Sequence, residues 1–217
     1  MIDFGLFTRS FPALLAPALQ TIWITAIALI IGCFMGVLLG VGNCRHLKHP
    51  IWSRCITAYV AILRGTPLFV QVLIAYFALP QLIGVNLSPF TAGVIALGLN
   101  SSAYIAEIIR GGIDATPTGQ WMAAKALGYK THQVFCTIIG PQVFRNVLPS
   151  LVNEATTLLK ETSILMVIGV AELTKTGRDI VSRELDPLSV YLAVACVYLL
   201  LTGTIAFGAS KLEKKRT

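Results

Sequence analysis

From Ser10 to Cys44 the chain carries no charged residue, and that stretch restricts the fold more than any other feature. A helix needs about 20 predominantly apolar residues to cross the hydrocarbon of a bilayer, and this run is longer. In a water-soluble domain a helix apolar on every side would have to be buried on every side. The composition points the same way: of 217 residues, 55% are hydrophobic and only 12% charged, about half the charged share of an ordinary soluble domain. These features predict an all-α integral membrane protein. A net charge of +7 would suggest nucleic acid in a soluble chain. Here the lysines and arginines lie in loops between apolar runs, so they set topology and imply no nucleic-acid partner.

Five segments meet the length requirement. They run from about Ala18 to Gly42, Ile56 to Leu79, Ser88 to Ile109, Val147 to Val170 and Asp186 to Gly208. The first holds Gly32, Gly36 and Gly40, a small-residue ridge suited to backbone-to-backbone packing in lipid. The second contains Arg64-Gly65-Thr66-Pro67. Pro67 cannot donate the bond that Leu63 would accept, so a kink or a fresh helix start is expected there. The third and fifth open on a cap followed by proline, Ser88-Pro89 and Asp186-Pro187. Asp3 and Arg9 precede a long apolar span with no small-residue cleavage site, which predicts a retained helix rather than a removed signal peptide.

Basic residues set the orientation. Arg45, Lys48 and Arg54 follow span one; Arg110, Lys125, Lys130 and Arg145 follow span three; Lys211, Lys214, Lys215 and Arg216 form the tail. Only Asp114 and Glu213 offset them, whereas 171–186 mixes both signs. The N-terminus is therefore expected outside and the C-terminus in the cytoplasm, across the cytoplasmic (inner) membrane. No boundary divides the chain, so a single transmembrane domain, 1–217, is expected. The loop from about 111 to 146 falls on the cytoplasmic side. It reads as two short helices on a turn: Thr118 as cap, Trp121 to Leu127 as helix, Gly128 as a left-handed stop, and a second piece from Thr131 ending by Gly140-Pro141. Ala123 and Ala124 would leave a notch that another protein could approach.

Polar residues at membrane depth cost free energy unless paired, and mark paths or packing networks. Asn153, Thr157, Lys160 and Glu161 share one helical face, as do Asn100, Tyr104 and Glu107, with Ser101 and Ser102 beside them. Turned toward each other, two such stripes would line a translocation cavity; the plainer alternative is an interhelical ion pair such as Lys160 with Glu107. A zwitterion would need a carboxylate for its ammonium group (Glu161 or Glu107). Its own carboxylate would need donors (Lys160, Thr162 or Ser163). No phosphate-cradling loop of the G-x-x-x-x-G-K-[ST] kind occurs, nor a hydrolase or metalloprotease motif. The five cysteines form no metal-ligand pair. No metal, no cofactor and no enzymatic activity are expected of this chain.

In spacing, Ala123-Ala124, Gly128, Ile138 and Pro141 resemble the EAA loop of ABC-importer permease subunits. Met122 stands where that family has glutamate, and Gly140 where it usually has leucine. The segments R-G-T-P-L at 64–68, N-S-S-A-Y-I-A-E at 100–107, R-G-G-I at 110–113, K-E-T-S at 160–163 and G-V-A-E-L-T at 169–174 resemble the polar amino-acid branch. That branch takes in the histidine, glutamine, glutamate, arginine and opine importers. The resemblance implies a type I permease fold with a helix–turn–helix coupling loop between helices three and four. It also implies that Gln120, Met122, Ala123, Ala124, Gly128 and Pro141 contact a pair of ATPase subunits. A second permease chain, an external solute-binding protein and a polar amino acid, glutamine-type or basic such as arginine, follow as further partners. The competing class is an ion-coupled carrier or channel working without ATP.

Overall fold

The structure, a computed structural model, describes residues 3–47 and 49–214; the topology-setting charges of Lys48, Lys215 and Arg216 lie outside them. Among the described residues there are helices and turns but no strand. Among these residues three helices are long and apolar enough to cross a membrane: α1 (Phe4–Gly42), α5 (Pro89–Asp114) and α10, whose span runs Pro187–Lys211. A broken pair, α2 (Pro50–Gly65) and α3 (Leu68–Leu73) with the turns after it, makes a fourth when counted as one crossing. The segment expected as a further crossing at 147–170 is helical but polar: α8 (Gly140–Glu161) tightens into a 3-10 stretch, Thr162–Ile168, ending at left-handed Gly169.

Local chemistry explains most boundaries. Ser88 Oγ accepts the Thr91 N–H at 3.1 Å, starting α5. Asp186 Oδ1 accepts the Ser189 N–H at 3.2 Å, starting α10. α1 begins well before Ala18, because Asp3 Oδ1 accepts the N–H groups of Gly5 (2.8 Å) and Leu6 (3.0 Å). Its early turns also carry Phe7, Phe11 and Leu14 into an apolar cluster. After α3 come a π stretch, Ile74–Ala78, and the short α4 (Leu79–Ile83), closed by left-handed Gly84.

Two expectations for the loop change. Pro117, not Thr118, takes the cap position of α6 (Thr118–Ala126), since its extended ψ of 129° turns the chain into the first helical bond, Gln120 N–H to Pro117 O at 3.0 Å. The second piece does not stop at Gly140-Pro141. α7 (Thr131–Gln133) widens into a π stretch, Val134–Ile139, and runs on into α8. The Gly140 N–H reaches back five residues to Phe135 O. Pro141 then sits where that register hands over to the ordinary one, so its missing N–H breaks no established ladder.

The chain forms two compact units. One comprises residues 3–30, 67–98 and 155–214, and its apolar cluster joins Leu14 and Ala18 of α1, Leu173 of α9 (Leu173–Glu184) and Ala193, Val194 and Val197 of α10. Thr21 Oγ1 accepts the Leu173 N–H there at 3.2 Å. The other comprises 31–66 and 99–154. In it the glycine ridge of α1 lies against α5: a Cβ built on Gly32 would come 3.0 Å from Ser101 Cβ, and one on Gly40 2.6 Å from Ala106 O.

Candidate functional site

The second unit carries the loop. α6 ends in a closed left-handed cap: Gly128 has φ of +87°, its N–H donates to Lys125 O at 2.9 Å, and the Tyr129 N–H donates to Ala124 O at 3.1 Å. These two bonds occupy carbonyls that a helix end leaves open. Trp121 and Ala124 (3% exposed) form the buried face, while Ala123, Met122 (66%) and Leu127 (79%) face outward. The notch expected from the two alanines is thus a single exposed alanine, because successive helical residues point about 100° apart. Gln120 Oε1 accepts from Gln142 Nε2 at 3.2 Å, tying α6 to the start of α8. Pro141 is exposed on that helix. A cleft of about 390 Å³ runs beside this junction, lined by Gly111, Gly112, Thr116, Asn146 and Ser150 among others.

The same unit holds the polar residues of α5. Asn100 is buried and its Nδ2 donates to Leu63 O at 3.3 Å, the carbonyl that Pro67 leaves open at the end of α2. Thr66 Oγ1 donates to the neighbouring Ile62 O at 2.8 Å. Ser102 is buried and its Oγ lies 2.7 Å from Tyr59 Oη. Glu107 is held by Arg110, with Nη2 to Oε2 at 2.8 Å and Nε to Oε1 at 2.9 Å. Arg64 Nη1 approaches the same carboxylate at 3.7 Å while its guanidinium lies 5.1 Å from the centre of the Tyr104 ring. Arg110 also reaches Asp114 Oδ2 at 3.0 Å. Gly65 makes no close approach: a Cβ there would meet nothing within 4 Å.

The second stripe is split between the units, and its Thr157-to-Ser163 end lies in the first, so Lys160 and Glu107 belong to different units. Lys160 is exposed and Ser163 half-buried; both line an opening of about 490 Å³ with Thr174, Tyr198 and Thr202. Thr157 and Glu161 are half-buried. Thr162 is buried, its hydroxyl donating to Leu159 O at 2.8 Å.

Sequence reasoning passed over two buried carboxylates. Glu154, 8% exposed, accepts a bond from Ser101 Oγ at 2.8 Å. A carboxylate at membrane depth was itself a signal, but Glu154 lay one position off the stripe. Glu172 is fully buried and caps α9, accepting the N–H groups of Thr174 (2.8 Å) and Lys175 (2.6 Å) and the Tyr198 hydroxyl (3.0 Å). Burial pushes its carboxyl above the usual carboxylate range, and those donors pull it partly back. Among the described residues, no group of three potential ligands is placed to hold a metal.

Residues 28–216 match the family described as binding-protein-dependent transport system inner membrane component. The chain is 39% identical over 197 residues to a putative glutamine transport system permease protein of Rickettsia conorii, covering 91% of this chain and 89% of that one. It is 35% identical over 214 residues to the arginine transport system permease protein of Bacillus subtilis, covering 99% and 97%. Among solved structures, an amino acid ABC transporter crystallised with histidines superimposes with a TM-score of 0.90 at 36% identity, covering 99% of both chains.

Proposed function

Because the chain belongs to the family of binding-protein-dependent transport system inner membrane components, we propose that it carries a polar amino acid inward by alternating access, driven by ATPase subunits docked on α6. It is the permease subunit of an amino-acid ABC importer. The hydrolysing machinery lies in separate chains, and this subunit is not itself an enzyme. An external solute-binding protein delivers the substrate, and a second permease chain completes the pathway. The N-terminus lies outside and the C-terminus in the cytoplasm.

One observation carries the docking role: α6 is capped at Gly128 and seated on Trp121 and Ala124, so that Met122, Ala123 and Leu127 stand outward together. Exposed apolar side chains grouped at a loop tip mark an interaction surface. Met122 makes the contact apolar where the family's glutamate would make it ionic. Gln120, through Gln142, and Gly128 and Pro141 hold the helix in place for it.

For the cargo, Lys160 and Ser163 suit the carboxylate and Glu161 the ammonium group, whereas Glu107, in the other unit, is already engaged by Arg110 and Arg64. Thr157 and Thr162 shape the stretch that carries them; in the other unit Tyr104 is exposed, while buried Asn100, Ser101 and Ser102 hold the helix that bears it. Arg64, Gly65 and Pro67 form a hinge at the break, and Gly32, Gly36 and Gly40 the packing seam. The relatives' names span glutamine and arginine, so the cargo class is a polar or basic amino acid.

Ala123→Glu tests the docking. Since Ala124 is buried, a charge there would damage the fold, whereas Ala123 is on the surface. In the reconstituted complex, Ala123→Glu should leave the chain folded and lower uptake per ATP hydrolysed. Unchanged coupling would refute the docking role. ATP-independent uptake by this chain alone would refute the importer reading.

A further inference from the structure

We infer that His46, in the turn between α1 and α2, is a positioning residue that links the coupling helix to the helix break at the end of α2. Its imidazole lies flat on the Trp121 ring of α6, centroids 4.2 Å apart and planes 15° from parallel. Trp121 is 2% exposed, and among the described residues its buried Nε1 donor has no hydrogen-bond partner. Phenylalanine would fill such a position without stranding a donor, so what the indole adds is its broad face, and His46 covers that face.

The turn that holds His46 is itself braced. Cys44 is fully buried, and the Leu47 N–H donates to Cys44 O at 3.2 Å. Asn43 Oδ1 accepts from Ser53 Oγ of α2 at 2.6 Å. The Arg45 N–H donates to Asp114 Oδ1 of α5 at 2.8 Å. From Asp114 the charged side chains continue without a gap through Arg110 and Glu107 to Arg64. Arg64 lies one residue before the end of α2, where Asn100 holds the Leu63 carbonyl.

A push on α6 therefore meets a stacked ring on a turn braced by hydrogen bonds, and from there a ladder of ion pairs that ends at the broken helix. A flat ring resists tilting of its partner while permitting slip in its own plane. That is what a joint between a docking helix and a helix break requires, and it needs no contact between His46 and either ATP or cargo. Mere intermediacy in space does not establish coupling, so the test must read coupling itself. The inference rests on the importer reading above.

The complete complex, in proteoliposomes with its loaded binding protein, is compared for wild type, His46→Ala, His46→Leu and His46→Phe. Co-purification of the ATPase subunits, ATP hydrolysis and amino acid moved per ATP are measured together. His46→Ala and His46→Leu should keep the ATPase subunits and continue hydrolysis while transport per ATP falls roughly two- to thirtyfold. His46→Phe, which keeps a flat ring, should return it to near the wild-type value. Wild-type coupling in His46→Leu, or a defect in His46→Phe equal to that in His46→Leu, overturns the inference while leaving the importer reading standing. Wild-type uptake that needs no ATP overturns both.

Discussion

Gly36→Ala is the sharpest test of how the membrane part of the chain is packed. A Cβ at position 36 would lie 2.6 Å from Ile105 Cβ and 2.9 Å from the Ser102 carbonyl oxygen. Ordinary carbon contacts fall at about 3.5–4.0 Å, so α1 and α5 would have to part by roughly 1 Å. Overpacking of this kind costs about 1–3 kcal/mol. The upper half applies, because one obstacle is backbone and the other is a β-branched side chain fixed in χ1 by its helix. Alanine recovers about 1 kcal/mol of helix propensity over glycine, leaving a net loss of about 1–2 kcal/mol. For a chain of this size that lowers the melting temperature by roughly 2–8 °C. Gly203→Ala is the control, since a Cβ there meets nothing within 4 Å and should leave stability unchanged or raised. Thermal melts of the detergent-solubilised chain would show the contrast. If Gly36→Ala melts at or above the Gly203→Ala temperature, the close approach of the two helices is wrong.

Ser101→Ala removes the hydroxyl that donates to buried Glu154 and should cost about 1–3 kcal/mol. The same change made on Glu154→Gln should cost less, and a melt of the four variants checks it. Glu172→Ala removes the cap of α9 and should cost about 1–2 kcal/mol, read as faster amide exchange in 173–184 ahead of other helices. Asp186 is held below the usual aspartate range by bonds from the Ser189 hydroxyl and N–H. Its stabilising effect is therefore present above the ordinary aspartate pKa and is lost as pH falls through the lowered folded value. An acid titration of stability should show this step, and Ser189→Ala should flatten it.

The parts of the fold that could be read from the sequence are those decided within a few residues. Ser88-Pro89 and Asp186-Pro187 open helices because the cap and the proline act on adjacent peptide groups, and Gly128 stops α6 because only a left-handed residue closes that cap. The break at Pro67 follows from a missing N–H, and the carbonyl it frees is the one Asn100 fills. What could not be read depends on partners distant in sequence. Pro141 does not end its helix, because the preceding π stretch has already shifted the register. Asp3 starts α1 early, and Phe7 and Phe11 of the early turns pack, partly buried, against a cluster that includes Leu173, Ala193, Val194 and Val197.

The candidate site divides along the same line. Periodicity finds a polar stripe but not what each polar group faces. Ser101, Ser102 and Asn100 share a stretch with Tyr104 and Glu107, yet the first three are spent on Glu154, Tyr59 and Leu63. Tyr104 and Glu107 instead meet Arg64. A hydroxyl or amide whose bonds close inside the chain holds helices together. A cation such as Lys160, exposed at the rim of an opening, keeps its ammonium group in reach of solvent, as the cargo role proposed for it requires. By that criterion the residues around Lys160 and Ser163 are the better place to change substrate preference, and Asn100 to Ser102 the better place to change stability. Uptake measured alongside melting temperature for Ser163→Ala and Ser102→Ala should separate the two effects. Loss of uptake without loss of stability in Ser102→Ala would reverse the assignment.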